Sequence, residues 1–349
     1  MGGDGGPSGP RRRPTPRDEG FVHQLPELLP AVAAPSPHWR ESYFFELHRP
    51  DAAGDVVFFT MAHRPGLQLV DSLQMGRVGG EQVLGVLHRP TAGDPVTSAT
   101  PLVTEVPGAR VEVVRPFEEL RLWADPAVAA IGLDVTFRAR TEPYALRRGT
   151  MRAADGVVWD QSHILQSGHY TGTYTSGGTT HEVDGWVGQR DHSWGVRDHG
   201  RCPLWLWFQL QFEDGFLGMW HWELPNGARV YTDGCWAGAD RSDPVPLVDL
   251  AHEMTWLGAD GRPAAYGTNG EDVAGLTGRC TFTLEDGRRI TVDAEGTFDR
   301  PYEPFHRGGL SQMRFRAGDG REGTAIYEIT GARHHRYFPE AVVEGVLPA

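Results

Sequence analysis

Short apolar or alternating runs, each ended by Gly, Pro or Asp, make up most of the sequence from about Ser42 onward. A period of two predicts β-strands, and the recurring Asp-Gly and Asn-Gly dipeptides between the runs are typical of tight turns. Helical periodicity is limited to the short stretches 116–123 and 246–257. The pattern therefore predicts an all-β fold of antiparallel barrels or sandwiches with few short helices.

The length of 349 residues fits two domains or one large β domain. Residues 1–20 contain Gly, Pro and Arg with little apolar material, which predicts a disordered tail. We expect a first β domain over 21–165 and a second over 166–349. The tripeptide His-Arg-Pro closes three runs, at His48, His63 and His88, and we interpret it as a strand-end pattern because Pro cannot continue a central strand.

The charge and composition exclude several kinds of chemistry and partner. No lysine occurs in the sequence, so lysine Schiff bases and Walker-type phosphate sites are ruled out. The net charge of −13 argues against a nucleic-acid partner. Three cysteines without CxxC spacing support neither a disulfide framework nor a cysteine zinc site. The sequence shows neither a signal-peptide pattern nor an 18-residue apolar run, so we expect a cytoplasmic protein without a membrane span.

Tryptophan is concentrated in one stretch: seven of the eleven lie between Trp186 and Trp236. Residues 204–236 predict a three-stranded meander, with two-residue turns at Asp214-Gly215 and Asn226-Gly227. In that register Trp207 faces Trp222, Gln209 faces Trp220, Trp222 faces Tyr231 and Trp220 faces Asp233. One face of the meander then carries aromatic and polar side chains together: Trp205, Trp207, Gln209, Gln211, Trp220, Trp222, Tyr231 and Asp233.

This face suits the wall of a cavity for an apolar ligand, with polar tips that orient it. A carboxyl group surrounded by indoles is desolvated, so we expect the pKa of Asp233 to rise and the group to act as an acid. Indole faces also stabilise a nearby cation. An aromatic-rich sandwich core with a hydrogen-bonded Asp233 remains the alternative. The opposite face, which includes Leu206, Phe208 and Met219, is typical of an ordinary core.

A cluster of charged residues precedes the meander, in the segment 188–201. Asp and His side chains can hold a hydroxyl group or move a proton, and Arg can pair with a carboxylate. We expect His192 with Asp191 to relay protons, and Arg197 to hold the loop or bind substrate. An arginine–aspartate network that only pins a crossover explains the same residues. A metal site formed by His192, His199 and His221 also stays open, although nothing in the spacing requires it.

The stretch from Gly188 to Asp198 (GQRDHSWGVRD), the tryptophan-rich meander and a late strand with Gly323, Tyr327 and Glu328 resemble the lipocalin-like proteins related to carotenoid 1,2-hydratase (hydroxyneurosporene synthase) and AttH. The resemblance implies two consecutive lipocalin-like antiparallel β-barrel domains with an apolar cavity. In the hydratase branch it implies addition of water to an isoprenoid double bond by acid catalysis, without a cofactor. His192 and Trp194 match the motif. His199 stands where the motif has Trp, which weakens the case for a carotenoid substrate.

The leading functional hypothesis is a cofactor-independent hydratase, cyclase or double-bond isomerase that acts on a hydrophobic terpenoid- or polyketide-like substrate. Asp233, His192, Asp191 and Tyr231 are the candidate catalytic residues. The candidate substrate-binding residues are Trp194, Trp205, Trp207, Gln209, Trp220, Trp222 and Arg197. A non-catalytic carrier of an apolar small molecule is the main alternative, and a hydrolase or oxygenase with a histidine-bound metal is the third.

Overall fold

The computed structural model describes residues 6–8, 11–21, 23, 36–51, 54–91, 102–153, 156–198, 204–224, 227–257, 260, 262–263, 275–299 and 309–330. Strands dominate these ranges, which contain no helix of seven or more residues. The two helices that they do contain are short 3₁₀ turns at Pro16–Glu19 and Pro65–Leu67. The predicted all-β class is confirmed. Neither of these turns has the length needed to cross a bilayer as a helix.

Twenty-one strands form within the described ranges. In chain order they are β1 Gly6–Ser8, β2 Trp39–His48, β3 Val56–Arg64, β4 Leu69–Val78, β5 Glu81–Pro90, β6 Val103–Val106, β7 Ala109–Arg115, β8 Glu119–Ala124, β9 Gly132–Ala139, β10 Tyr144–Ala145, β11 Arg148–Ala153, β12 Gly156–Ser176, β13 Thr179–Arg197, β14 Leu204–Phe212, β15 Gly215–Glu223, β16 Arg229–Gly238, β17 Val245–Leu257, β18 Gly275–Leu284, β19 Arg289–Asp299, β20 Gly309–Ala317 and β21 Glu322–Thr330.

The chain divides into two compact units. The open-barrel unit comprises Arg11–Leu146 and Gln161–Arg197, and the closed-barrel unit comprises Met1–Pro10, Arg147–Asp160 and Asp198–Ala349. The chain therefore enters each unit more than once. The boundary that we predict near residue 165 falls inside β12, close to the change of unit after Asp160. The simple division into 21–165 and 166–349 stays a prediction.

The open-barrel unit is a long antiparallel sheet in the order β5-β4-β3-β2-β13-β12-β9-β8-β7-β6. Strands β7 to β9 alternate between buried and exposed residues, as expected for a sheet with one solvated face. The curved sheet is nearly closed, and its inner face forms one apolar core that includes Phe45, Phe59, Val135, Phe137 and Tyr170.

The closed-barrel unit contains eight strands, β14 to β21 in order, and β14 closes the barrel by pairing with β21. Its interior is an apolar core that includes Leu206, Phe208, Met219, Phe282 and Val292. Every residue of β15 is buried. Both faces of this strand are therefore shielded from solvent, whereas only one face is directed toward the barrel core.

The two helix candidates are wrong. Residues 246–257 lie in β17, which pairs with β18 along most of its length, and residues 119–123 lie in β8, which pairs with β7 and β9. Tertiary pairing on both sides of a segment overrides a weak local helical pattern. The strand-end reading of His-Arg-Pro is confirmed, since β2 ends at His48, β3 at Arg64 and β5 at Pro90.

The meander is confirmed, but one of its two registers is wrong. Across the second turn Trp222 faces Tyr231 and Trp220 faces Asp233, as predicted. Across the first turn Trp207 faces Trp220 and Gln209 faces Gly218. Phe212 pairs with Gly215, so the loop residues are Glu213 and Asp214. Because the resulting slip is two residues, every side chain keeps its predicted face.

The N-terminal segment differs from a wholly disordered tail. Residues Gly6–Ser8 pair with β11 in the closed-barrel unit, and the 3₁₀ turn at Pro16–Glu19 belongs to the open-barrel unit. Glu19 is fully buried and pairs with the buried guanidinium of Arg190. This partner, 171 positions away, supplies the stabilisation that the local composition lacks.

A substitution at Gly188, the first residue of the charged motif, would test how closely β13 packs against β2. A Cβ atom at this position would overlap the carbonyl oxygen of Glu46. We expect Gly188→Ala to lower the free energy of unfolding by about 1–3 kcal/mol, because β2 would have to move. Gly318→Ala is the control, since its nearest non-neighbouring atom would lie 3.9 Å away. Urea unfolding should show little change for the control, and equal effects of the two substitutions would contradict the close approach.

Candidate functional site

The tryptophan face lies on the outer side of the closed barrel, opposite the apolar core. The rings of Trp205 and Trp220 have centroids 4.9 Å apart, and Trp222 stacks on Tyr231 at 4.5 Å. Trp159 joins them, at 5.0 Å from Trp205 and 5.3 Å from Trp222. The predicted residues Trp205, Trp207, Gln209, Trp220, Trp222, Tyr231 and Asp233 are thus on one face, and all are buried.

Asp233 does not have the surroundings that we predict for a proton donor. Its Oδ2 accepts hydrogen bonds from the backbone N of Arg147 at 2.7 Å and from the guanidinium Nε at 3.2 Å. Its Oδ1 accepts a bond from the backbone N of Gly234 at 2.9 Å. A carboxylate paired with arginine and backbone donors is held as an acceptor. The expectation of a carboxyl group ringed only by indoles is therefore wrong.

The segment that carries Arg147 is packed tightly against the tryptophan face. The hydroxyl of Tyr231 donates to the backbone oxygen of Arg147 at 2.7 Å. A Cβ atom on Gly149 would lie 2.5 Å from the Trp222 ring, so only glycine fits there. Sequence reasoning missed Arg147, which lies 86 positions from its carboxylate partner, because no local pattern links the two.

In the open-barrel unit, β13 separates the charged motif into two faces. Arg190, His192 and Trp194 are directed toward the inner side, whereas Asp191 and Ser193 are directed outward, because side chains alternate along a strand. His192 consequently contacts Glu41, with Nε2 3.2 Å from Oε1. The predicted His192–Asp191 relay is wrong for this reason: residues that are adjacent in sequence lie on opposite faces of the sheet.

The inner face holds a cluster of two histidines and two carboxylates. His23 Nδ1 is 2.6 Å from Glu41 Oε1, and His23 Nε2 is 3.0 Å from Asp18 Oδ1. The pKa of Glu41 lies below its usual value: burial raises it, but hydrogen bonds with His192 and His23 outweigh burial. Trp194 stacks on His23 at 3.6 Å. These contacts form a hydrogen-bonded network that orders the N-terminal segment.

Arg190 anchors the same segment through a glutamate and a glutamine, and not through the arginine–aspartate network that we considered for the charged cluster. Its Nη2 donates to Glu19 at 2.9 Å and to Gln166 Oε1 at 2.8 Å. Its guanidinium also lies over the rings of Phe117 and Phe137, at 5.3 and 5.8 Å. These contacts of Arg190 therefore stabilise the fold.

The outer face of β13 is polar and buried, and Asp191 lies at its centre. Burial raises the pKa of Asp191 to about 6, although Arg197, Arg40 and a hydrogen bond with Ser193 lower it. About half of this carboxyl group is therefore protonated near pH 6, where an ordinary aspartate is almost fully ionised. Among the predicted site residues, Asp191 thus has the raised pKa that we expect of Asp233.

Arg197 and His163 lie beside this carboxyl group. Arg197 Nη2 donates to Ser193 Oγ and is 3.3 Å from His163 Nε2. Burial and the positive charge of Arg197 hold the pKa of His163 well below its usual value, so its ring is neutral. Ser42 Oγ is 3.2 Å from Ser193 Oγ. The predicted Arg197 thus belongs to the Asp191 face.

Several buried polar groups on this face were missed by sequence reasoning. Glu46 and His48 form a fully buried pair. Both amide atoms of Gln161 and of Gln189 have no hydrogen-bond partner among the described residues. Buried amides without partners are rare and call for a ligand or a water molecule. In the sequence, His48 stands out only as part of the His-Arg-Pro strand-end pattern. Strand pairing is needed to show which face of the sheet His48 occupies.

Comparisons with known proteins agree with this architecture. A family model described as "Domain of unknown function (DUF7064)" matches residues 30–333. The chain belongs to this family. Its match covers nearly all of both units. The sequence search against curated proteins returned no significant match.

Two solved structures show the same fold. One is kievitone hydratase from Nectria haematococca, with a TM-score of 0.54, 14% identity, and coverage of 87% of this chain and 94% of that one. The other is a putative AttH from Nitrosomonas europaea, with a TM-score of 0.60, 10% identity, and coverage of 88% and 99%. The likeness to an AttH fold that we predict from the Gly188–Asp198 motif is confirmed at the level of fold.

The histidines considered for a metal site fall in different parts of the chain. His192 belongs to the open-barrel unit and His221 to the closed-barrel unit, and His199 lies outside the described residues. Each of the first two belongs to its own trio of metal-ligating side chains, His23–Glu41–His192 and His221–Glu223–His252.

A substitution of Arg147 would test whether Asp233 is held by an ion pair. We expect Arg147→Ala to lower the free energy of unfolding by about 2–3 kcal/mol, because it removes an arginine that is paired with a fully buried carboxylate. The neighbouring Arg148→Ala is the matched control. It removes an ion pair with Asp160 in which the arginine is 58% exposed, and we expect a change of about 0–1 kcal/mol. Similar urea midpoints for the two variants would contradict the assignment.

Proposed function

We propose that the chain is a cofactor-independent lyase or isomerase that protonates a carbon–carbon double bond of a hydrophobic terpenoid- or polyketide-like substrate. The observation that carries the proposal is the buried Asp191 carboxyl group, whose burial raises its pKa to about 6. Acid catalysis is most efficient when the pKa of the donor lies near the working pH. Asp191 therefore replaces Asp233 as our proton donor.

Aromatic side chains adjoin Asp191 on the same face. Phe44 lies directly opposite Asp191 in the pairing of β2 with β13, and the centroids of Phe44 and Phe58 are 5.7 Å apart. Aromatic faces attract a nearby cation. The pair can therefore pack against an apolar chain and stabilise the positive charge that protonation creates.

The polar groups around Asp191 can orient an oxygen-bearing substrate or a water molecule. Gln189 precedes Asp191 by two positions, so it shares the outward face. Gln161 lies on β12, the strand next to β13. The neutral ring of His163 and the hydroxyl of Ser193 provide further hydrogen-bonding groups. We assign these groups the role of positioning the reactant, and they take no direct part in the proton transfer.

The chemical step uses the proton of Asp191 alone. The carboxyl O–H bond breaks, its proton bonds to one alkene carbon, and the electron pair of the double bond leaves a carbocation at the other. In hydration a water oxygen bonds to this cation and loses one proton, which restores the carboxyl group. In isomerisation a neighbouring C–H bond gives up its proton to the carboxylate. Both routes balance without a metal or an oxidant.

A non-catalytic carrier remains the second candidate, and the tryptophan face favours it. Both amide atoms of Gln209, which is fully buried on that face, lack a hydrogen-bond partner among the described residues. A bound apolar molecule with one polar end would satisfy that amide and pack on indoles. Recovery of an unaltered compound with the purified protein, together with no turnover, would favour this function.

The pH dependence of turnover follows from the raised pKa of Asp191. The donor is active in its protonated form, which predominates below about pH 6. We expect kcat/KM to be level at low pH and to fall about tenfold per pH unit above about pH 6. Initial rates between pH 4.5 and 8.5 would test this. A rate that rises through pH 6 would mean that the carboxylate acts as a base.

Replacement of the carboxyl group tests the function itself. We would incubate the protein in D2O with acyclic isoprenoid alkenes and linear polyenes, and follow carbon-bound deuterium by mass spectrometry. Asp191→Asn should reduce incorporation by a factor of about 10²–10⁴, because an amide cannot donate the proton. Asp134→Asn is the control, since that carboxylate is 53% exposed and pairs with Arg121. Full activity of the Asp191→Asn variant would contradict the assignment of Asp191 as the proton donor.

A further inference from the structure

The closed barrel contains a second polar cluster that the proposed function does not use. His221 and Glu223 lie on β15, and His252 lies on β17. Along β15, His221 and Glu223 lie on the same face as Met219, and along β17, His252 lies on the same face as Leu250. Met219 and Leu250 both belong to the barrel core. The three side chains are therefore directed into the interior, beside the apolar core.

The cluster converges on one carboxylate oxygen. His221 Nε2 is 2.9 Å from Glu223 Oε1, and His252 Nε2 is 2.8 Å from the same atom. The three potential ligand atoms all lie within 4.8 Å of one another. Ligands of one tetrahedral zinc ion, with bonds of about 2.1 Å, lie roughly 3.4 Å apart. Small side-chain movements would therefore bring all three onto a common ion.

The surroundings of His221 match those of a metal-ligating histidine. Its Nδ1 is 2.7 Å from Thr232 Oγ1, and Thr232 is the cross-strand partner of His221 on β16. A hydrogen bond at the second ring nitrogen fixes the orientation of a ligating imidazole.

The histidine trio of the open-barrel unit differs in its charge balance. There His23 contacts two carboxylates, Glu41 and Asp18, and Arg12 adds a further cation on Asp18 at 2.8 Å. Two histidines and an arginine therefore share two carboxylates in one hydrogen-bonded network. The barrel trio has a single carboxylate for two imidazoles, which is the donor set of many transition-metal sites.

We propose that His221, Glu223 and His252 bind a divalent transition-metal ion of the zinc type inside the closed barrel. Two imidazole nitrogens and one carboxylate oxygen fill three positions, and a fourth remains for water or another small ligand. A surface depression of about 440 Å³, bordered by His252, Glu253 and Arg279, adjoins one of the three ligands. The bound ion links β15 to β17 across the barrel interior.

Metal titration of the untagged, EDTA-treated full chain tests this proposal. We expect one equivalent of Co²⁺ to produce visible ligand-field absorption, and Zn²⁺ to displace it. His252→Gln should abolish stoichiometric binding of both ions. Thr232→Val keeps all three ligands and removes the oriented hydroxyl, so we expect it to weaken binding roughly 10–100-fold. Thermal unfolding with and without Zn²⁺ provides a second readout, since ligand binding stabilises the folded state.

Two variants locate the site. His88→Gln removes an exposed histidine outside both trios, and His23→Gln removes a member of the other trio; both should bind metal as the wild type does. Binding that survives His252→Gln and is lost in His23→Gln would overturn the proposal, as would the failure of wild-type protein to bind one equivalent of Co²⁺ or Zn²⁺ at micromolar concentrations. Circular dichroism would establish that each variant is folded.

Discussion

Side-chain alternation along β13 is the constraint on which the candidate site depends. One run of polar residues is divided by the pleat into an inner set and an outer set. Arg190 and His192, on the inner side, bind the N-terminal segment through Glu19 and Glu41. Asp191, between them in sequence, is directed to the opposite side and keeps a buried, partly protonated carboxyl group. A single strand thus supplies both a structural anchor and the proposed acid.

Asp191 and Asp233 share burial but differ in the groups that contact their oxygens. Both carboxyl groups are buried. Asp233 has arginine and backbone N–H groups in direct contact, whereas burial is the largest influence on the pKa of Asp191 and its arginines only partly oppose it. The difference lies in the immediate partners, which sequence spacing does not reveal.

Much of the fold follows from local patterns. Period-two runs and turn residues predicted the all-β class, the tryptophan meander and the two faces of its strands. The loop between β14 and β15 was misplaced by one residue, because Asp214-Gly215 is a typical turn pair while the structure uses Glu213-Asp214. The faces survived this error, since a slip of two residues conserves them. Residues 246–257 were misread as helical because their pairing partners lie in distant segments.

The sequence by itself determined the fold class, the stock of chemical groups and the faces that they occupy along each strand, since strand periodicity is a local property. It contained no lysine, so arginine and histidine are its cationic side chains. The tertiary structure decided which of these groups meet. Arg147 neutralises Asp233 across 86 positions, His192 meets Glu41 across 151 positions, and His252 joins the His221–Glu223 pair across 29. Such pairings depend on strand order and barrel closure, which bring distant segments together and leave no signal in the spacing of residues along the chain.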